Sequence, residues 1–145
     1  MTEIDGHYNM PDKVGYAARL LRKAVAGHGA RLVVVGEGAL LETLDQALWR
    51  LAPADFVAHC RSDDAPHVVA RSPVVLAREA TDVLPDRPVL VNLGAGLPAR
   101  FERFERLIDI VGSDDADRQA GRARWRHYKD RGYAIRTHAY GGGAA

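Results

Sequence analysis

The run RLVVV at residues 31–35 is β-branched and apolar without alternation, and Gly36 closes it before a segment of helical period at 38–51. A strand apolar on both sides must be covered on both sides, which is the situation of an interior strand in a parallel sheet flanked by helices. The same rhythm recurs along the chain. Residues 4–8 read as a strand that gives way at Asn9; Pro11 then opens a helix with Val14, Ala17, Ala18, Leu21, Ala24 and Val25 on one face, ended by Gly27 and Gly29. Residues 56–60, 68–70, 74–76 and 89–92 read as strands or extended pieces, punctuated by Pro66, Pro73, Pro85 and Pro88. A helical turn at 98–104, a strand at 107–111, a helix at 114–131 and an end strand at 133–138 complete the pattern. The expectation is a single-domain, three-layer α/β/α, Rossmann-like fold over residues 1–140. Its central sheet is mostly parallel, an antiparallel strand is allowed at the edge, and 141–145 form a flexible Gly/Ala tail.

Most enzymatic readings fall away on the motifs. VVVGEG at 33–38 and LGAG at 93–96 place glycines after strands, yet neither completes a dinucleotide or P-loop pattern, so turn geometry is the expected role. The six histidines are scattered without zinc spacing. Asp114, Asp115 and Asp117, behind Ser113, are expected to offset a helix dipole. His59 and Cys60 are neighbours on a strand and point to opposite faces. No catalytic residue, metal or cofactor is expected. The single cysteine excludes an intrachain disulfide, and no apolar run approaches the roughly 18 residues of a membrane span. The N-terminus lacks a secretory pattern, so the cytoplasm is the expected compartment.

Charge points to binding. Between Arg118 and Arg136 seven basic residues face one acid, Asp130; the segment carries +6 in a chain that totals +1, leaving −5 for the remainder. A helical projection puts Ala116, Ala120, Ala123 and His127 inward and Arg118, Arg122, Trp125 and Lys129 outward, with Arg126 at the margin. Arg124 and Arg131 fall toward the buried side. Guanidinium groups around an indole suit an acidic peptide ending in a bulky residue, or a single strand of nucleic acid, or simply a solvated face. In the helix at 38–51, Leu40, Leu44, Ala47, Leu48 and Leu51 form the core face while Trp49 projects away, followed by Pro53 and Phe56. Exposed large aromatics of that kind suit a protein contact.

LDQALWRLAPADFVAHC at 44–60, VLVNLG at 89–94, the stretch at 101–133 and the opening IDGHYNMPDKVGYAARLLRKA together resemble the chi subunit of bacterial DNA polymerase III. The resemblance implies a non-enzymatic accessory protein of the clamp-loader assembly, with a nucleotide-binding-like fold but no nucleotide chemistry. It implies one surface for the acidic C-terminal tail of single-stranded-DNA-binding protein, which ends in a phenylalanine carboxylate. That surface carries over onto Arg118, Arg122, Trp125 and Arg126, with Lys129 beside them and Tyr128 and Gly132 in the same motif. It implies a second surface for the psi subunit, on Trp49, Pro53 and Phe56, with nucleic acid met only indirectly and no membrane. Two departures stand out: Gly6 replaces a bulky strand residue, and Ala58 replaces a proline before the histidine. The alternatives are a module that binds single-stranded nucleic acid directly and a nucleotide-binding α/β enzyme.

Overall fold

The computed structural model describes residues 1–51, 55–79 and 87–140. Pro53, Pro85 and the 141–145 tail lie outside them. In chain order the elements are β1 (Glu3–Met10), α1 (Lys13–His28), β2 (Leu32–Val35), α2 (Gly38–Trp49), β3 (His59–Arg61), α3 (Pro66–Arg71), β4 (Val74–Ala77), β5 (Val89–Asn92), a 3₁₀ turn (Phe101–Arg103), β6 (Arg106–Gly112), α4 (Asp115–Asp130) and β7 (Ile135–Ala139). The strands form one sheet in the order β3-β4-β2-β5-β6-β1-β7. Every pairing is parallel, including those of β3 and β7 at the edges, so the antiparallel edge allowed above is not used among the described residues.

The unbroken apolar run in β2 is divided by the pleat. Leu32 and Val34 pack under α1 and α2 with Ala17, Leu21, Leu44 and Leu48, while Val33 and Val35 turn to the other face with Ile4, Leu90, Leu107 and Tyr128. The sheet is thus covered by α1 and α2 on one side and α4 on the other, the three-layer Rossmann-like arrangement expected. No helix among the described residues is long and apolar enough to cross a membrane.

Four local readings are corrected. Residues 68–70 lie inside α3: Pro66 sits in its first turn, where a preset φ and a missing N–H favour helix, and this outweighs the β preference of two valines. The stretch at 56–60 is extended only from His59, and Phe56 is exposed. Gly27 remains inside α1, and Gly29, at φ +60°, ends it by donating to Val25 O. On α2 it is Leu41, omitted from the projected face, that joins Leu44 and Leu48 in the core. At the start of α4 the acidic cluster sits where expected, and Asp114 is the cap, accepting from the Asp117 N–H.

Candidate functional site

The orientation of α4 is set by one carboxylate. Asp109 interrupts the apolar strand β6 and is fully buried. Arg124 donates to it through Nε at 3.0 Å and Nη2 at 2.9 Å, Tyr128 Oη at 3.1 Å and Asn92 Nδ2 at 3.3 Å, and the remaining Arg124 Nη1 reaches Ala95 O at 2.8 Å. Burial alone would lower the Arg124 pKa, but the Asp109 carboxylate outweighs it and raises it. Burial, then Asp109, push the Tyr128 phenol up, so it stays a donor.

The inward face of α4 is therefore Gly121, Arg124 and Tyr128, and the alanine stripe projected inward is rotated away. Ala116 and Ala123 are exposed, while Ala120 and His127 are half-buried. Projection by hydropathy chose alanines over arginine because a charged core residue is visible only together with its partner. Tyr128, expected at the tail-binding surface, is 0 % exposed and belongs to the core. Gly121 allows close approach: a Cβ there would lie 2.7 Å from Val111 Cγ2 on β6.

That rotation leaves Trp125 half-buried rather than projecting outward. Its indole lies over β1 at Gly6, where a Cβ would stand 2.5 Å from Cζ2 and 2.7 Å from Cη2. The glycine that departs from the expected bulky strand residue is the seat of the indole. Tyr8 meets the same ring edge-on at 5.9 Å. Between them opens a pocket of about 370 Å³, lined by Tyr8, Asn9, Val111, Gly121 and Trp125 with Arg118 and Arg122. Asn9, at φ +67°, breaks the register of β1 against β6, which resumes with Met10 opposite Gly112.

Two features give the pocket its chemistry. Trp125 supplies an apolar wall, its Nε1 being buried and without an acceptor among the described residues. Arg118 is held only by an exposed 3.7 Å pair with Asp115, and Arg122 has no ion pair among the described residues. Arg126 and Lys129 are exposed on α4 but do not line the pocket. Tyr8, Asn9 and Gly121 escaped the sequence reading as pocket residues; the only signals were an asparagine within the first strand and a glycine within a helix.

At the opposite edge of the sheet Trp49 is 63 % exposed and Phe56 42 %. Their rings lie 5.1 Å apart, and the Trp49 ring lies 5.3 Å from that of His59. His59 is clamped between two acceptors, Val57 O at 2.7 Å and Asp45 Oδ1 at 2.8 Å. The aromatic pair thus stands on a fixed base. Ala58, in place of the proline before His59, is exposed in the connection leading to β3.

The glycine turns at the carboxyl ends of β2 and β5 meet each other. The Gly94 N–H donates to Asn92 Oδ1 at 3.0 Å and the Ala95 N–H to Glu37 Oε1 at 3.0 Å. The chain's own side chains occupy these amides, which an anion would need in a nucleotide-binding turn.

Comparison with known proteins adds the following. Residues 1–136 match the family model described as DNA polymerase III chi subunit, HolC. A DNA polymerase III subunit chi from Pseudomonas aeruginosa is 27 % identical over 143 residues, 95 % of this chain and 96 % of that protein. The Haemophilus influenzae protein of the same name is 29 % identical over 98 residues, 68 % of this chain and 67 % of its own. The Escherichia coli one is 27 % identical over 94 residues, 65 % and 63 %. Among solved structures, the C-terminal domain of S. cerevisiae Dbp5, bound to Gle1 and IP6, superposes with a TM-score of 0.62 at 13 % identity, covering 96 % of this chain and 90 % of that one. That likeness concerns the fold alone.

Proposed function

Because the chain belongs to the DNA polymerase III chi subunit family, whose members are replication accessory subunits, we propose that it is a non-catalytic, cytoplasmic linker within the replicative assembly. In this reading the pocket between α4 and β1 holds the acidic C-terminal tail of single-stranded-DNA-binding protein, and the Trp49 and Phe56 face holds the psi subunit of the clamp loader. The observation that carries it is the pair of exposed arginines, Arg118 and Arg122, in a pocket whose apolar wall is Trp125 and Val111. A terminal phenyl ring packs against the indole and Val111, and its carboxylate pairs with Arg118 or Arg122. Arg126 and Lys129, outside the pocket, attract the acidic residues upstream at longer range, so their effect fades with salt.

Calorimetric titration with an acidic peptide ending in a free phenylalanine carboxylate tests this. Arg122→Ala should weaken binding about tenfold or more, from ~1.5–3 kcal/mol for a hydrogen bond to a charged group. Binding as tight as wild type by the folded variant at low salt would exclude this pocket.

A further inference from the structure

A second basic segment lies on the other face of the sheet, hidden in the near-neutral total. Residues 13–31 hold Lys13, Arg19, Arg22, Lys23 and Arg31 and no acid. Three of these are engaged: Lys13 with Asp117 at 3.0 Å, Arg22 with Asp55 at 2.8 Å, and Arg31 with Ala70 O. Arg19 and Lys23, one turn apart on α1, are exposed and have no ion pair among the described residues.

They overhang a groove of about 740 Å³ that runs along the flank of α1 from Tyr16 to His28, with Leu20, Ala24 and Ile108 in its floor. At 1.5 Å per residue this flank is about 18 Å long. The groove exists because α1 covers the sheet only as far as β6, so the faces of β1 and β7 beyond it stay bare. Those faces carry rings: His7 is hydrogen-bonded to Tyr16 Oη and stacked on His138 at 4.6 Å between centroids. No residue lining the groove is acidic. Two carboxylates lie close by and both are paired: Asp55 with the lining Arg22 at 2.8 Å, and the buried Asp5 with Arg136 at 2.9 Å. Gly27 adds open space, with nothing within 4 Å of where its Cβ would be.

We propose that this α1 groove binds the backbone of single-stranded nucleic acid, with Arg19 and Lys23 pairing to phosphates and the Tyr16 ring offering a flat face to a base. The contrast with the α4 pocket decides the class. An acidic peptide needs an apolar seat for one side chain beside cations, which the smaller α4 pocket has; the α1 groove is longer and repeats its cations along one wall, suited to a repeating phosphate chain. The two lie on opposite faces of β1, since Gly6 and Tyr8 point toward α4 and His7 toward α1.

The test is fluorescence anisotropy of a labelled oligothymidine against the full chain over a salt series, for wild type and the double variant Arg19→Gln, Lys23→Gln. Both positions are exposed, so the fold should persist; circular dichroism checks this, and the single variants stand in for the double if it does not. Wild type should bind at low salt. The double variant should bind about tenfold more weakly, with a slope of log affinity against log salt shallower by about 1.4, at ~0.7 for each phosphate contact to a single strand. Its affinity for the acidic tail peptide should match wild type, which separates this site from the α4 pocket. No oligonucleotide binding by wild type at low salt, or equal binding by the double variant, overturns the proposal. So does displacement of the oligonucleotide by polyglutamate that itself depends on Arg19 and Lys23, because the groove would then be a peptide site.

Discussion

Replacing Arg124 by methionine keeps most of the side-chain volume and removes both bonds from its guanidinium to Asp109, at 2.9 and 3.0 Å. The carboxylate keeps Tyr128 Oη and Asn92 Nδ2 as donors but loses its cation. Arg124 and Asp109 side chains are 1 % and 0 % exposed, so water cannot take the place of the lost partner. Leaving one member of a buried pair uncompensated costs about 3–5 kcal/mol. Set against about 7–20 kcal/mol for a domain of this length, that is a large part of the total, and at ~2–4 °C per kcal/mol it lowers the melting temperature by about 6–20 °C. Urea denaturation gives the number directly. The same experiment on Asp109→Leu, and on the two changes together, gives the coupling. The double variant should lose less than the sum of the singles, because the second change removes a group the first had left charged and unpaired. Its residual cost, about 1–3 kcal/mol, comes from Tyr128 Oη and Ala95 O losing their partners. A loss below about 1 kcal/mol for Arg124→Met, or costs that simply add, would refute the assignment of α4's orientation to this pair.

Other outcomes follow from features on both faces of β1 and at the far sheet edge. Gly6→Val must evict the Trp125 indole; overpacking predicts a loss of about 1–3 kcal/mol in urea, together with weaker binding of the acidic peptide, and a variant unchanged in both would contradict the seat described. His7 is pushed down to about 4 by burial first and by His138 second, with Asp5 opposing. Its folded pKa lies below its unfolded value, so its contribution to stability is complete above about pH 6.5 and is lost as pH falls toward 4; His7→Gln should flatten unfolding free energy across that window. Trp49→Ala, at an exposed position, should change stability by no more than about 0.5 kcal/mol yet weaken psi binding by about 2 kcal/mol or more in a pull-down or calorimetric titration. Loss of folding instead would make the Trp49 and Phe56 pair structural.

Elements long enough to show a period were legible in the sequence, and β5 was read with its observed bounds because an apolar run between proline and glycine has little freedom. The helix α3 was not, since six residues are too few to display periodicity and valine pulls toward strand. The face of α4 was misread for a different reason. Arg124 looks like surface until Asp109 is seen opposite it, and a lone aspartate in RLIDIVG was the only hint. Tyr128 followed the same error, being assigned to a surface by motif when its hydroxyl completes the buried cluster. Arg118, Arg122 and Trp125 do converge on one pocket, yet its other wall comes from β1, more than a hundred positions earlier in the chain, where spacing along α4 carries no information.

The place of β1 in the sheet has a further consequence for how the molecule comes into being. Both its neighbours, β6 and β7, come from the final third of the sequence, with Glu3 opposite Arg106 and Ile4 opposite Ile135. As the chain leaves the ribosome, β1 is made well before either of its partners, waiting while β2 to β5 assemble beside it. Such distant pairing slows folding and keeps an unpaired edge exposed meanwhile. Because β1 supplies a wall to the pocket under Trp125 and a ring to the groove beside α1, neither surface exists on a nascent or C-terminally shortened chain. Competence to bind arrives only once β6, α4 and β7 have been made.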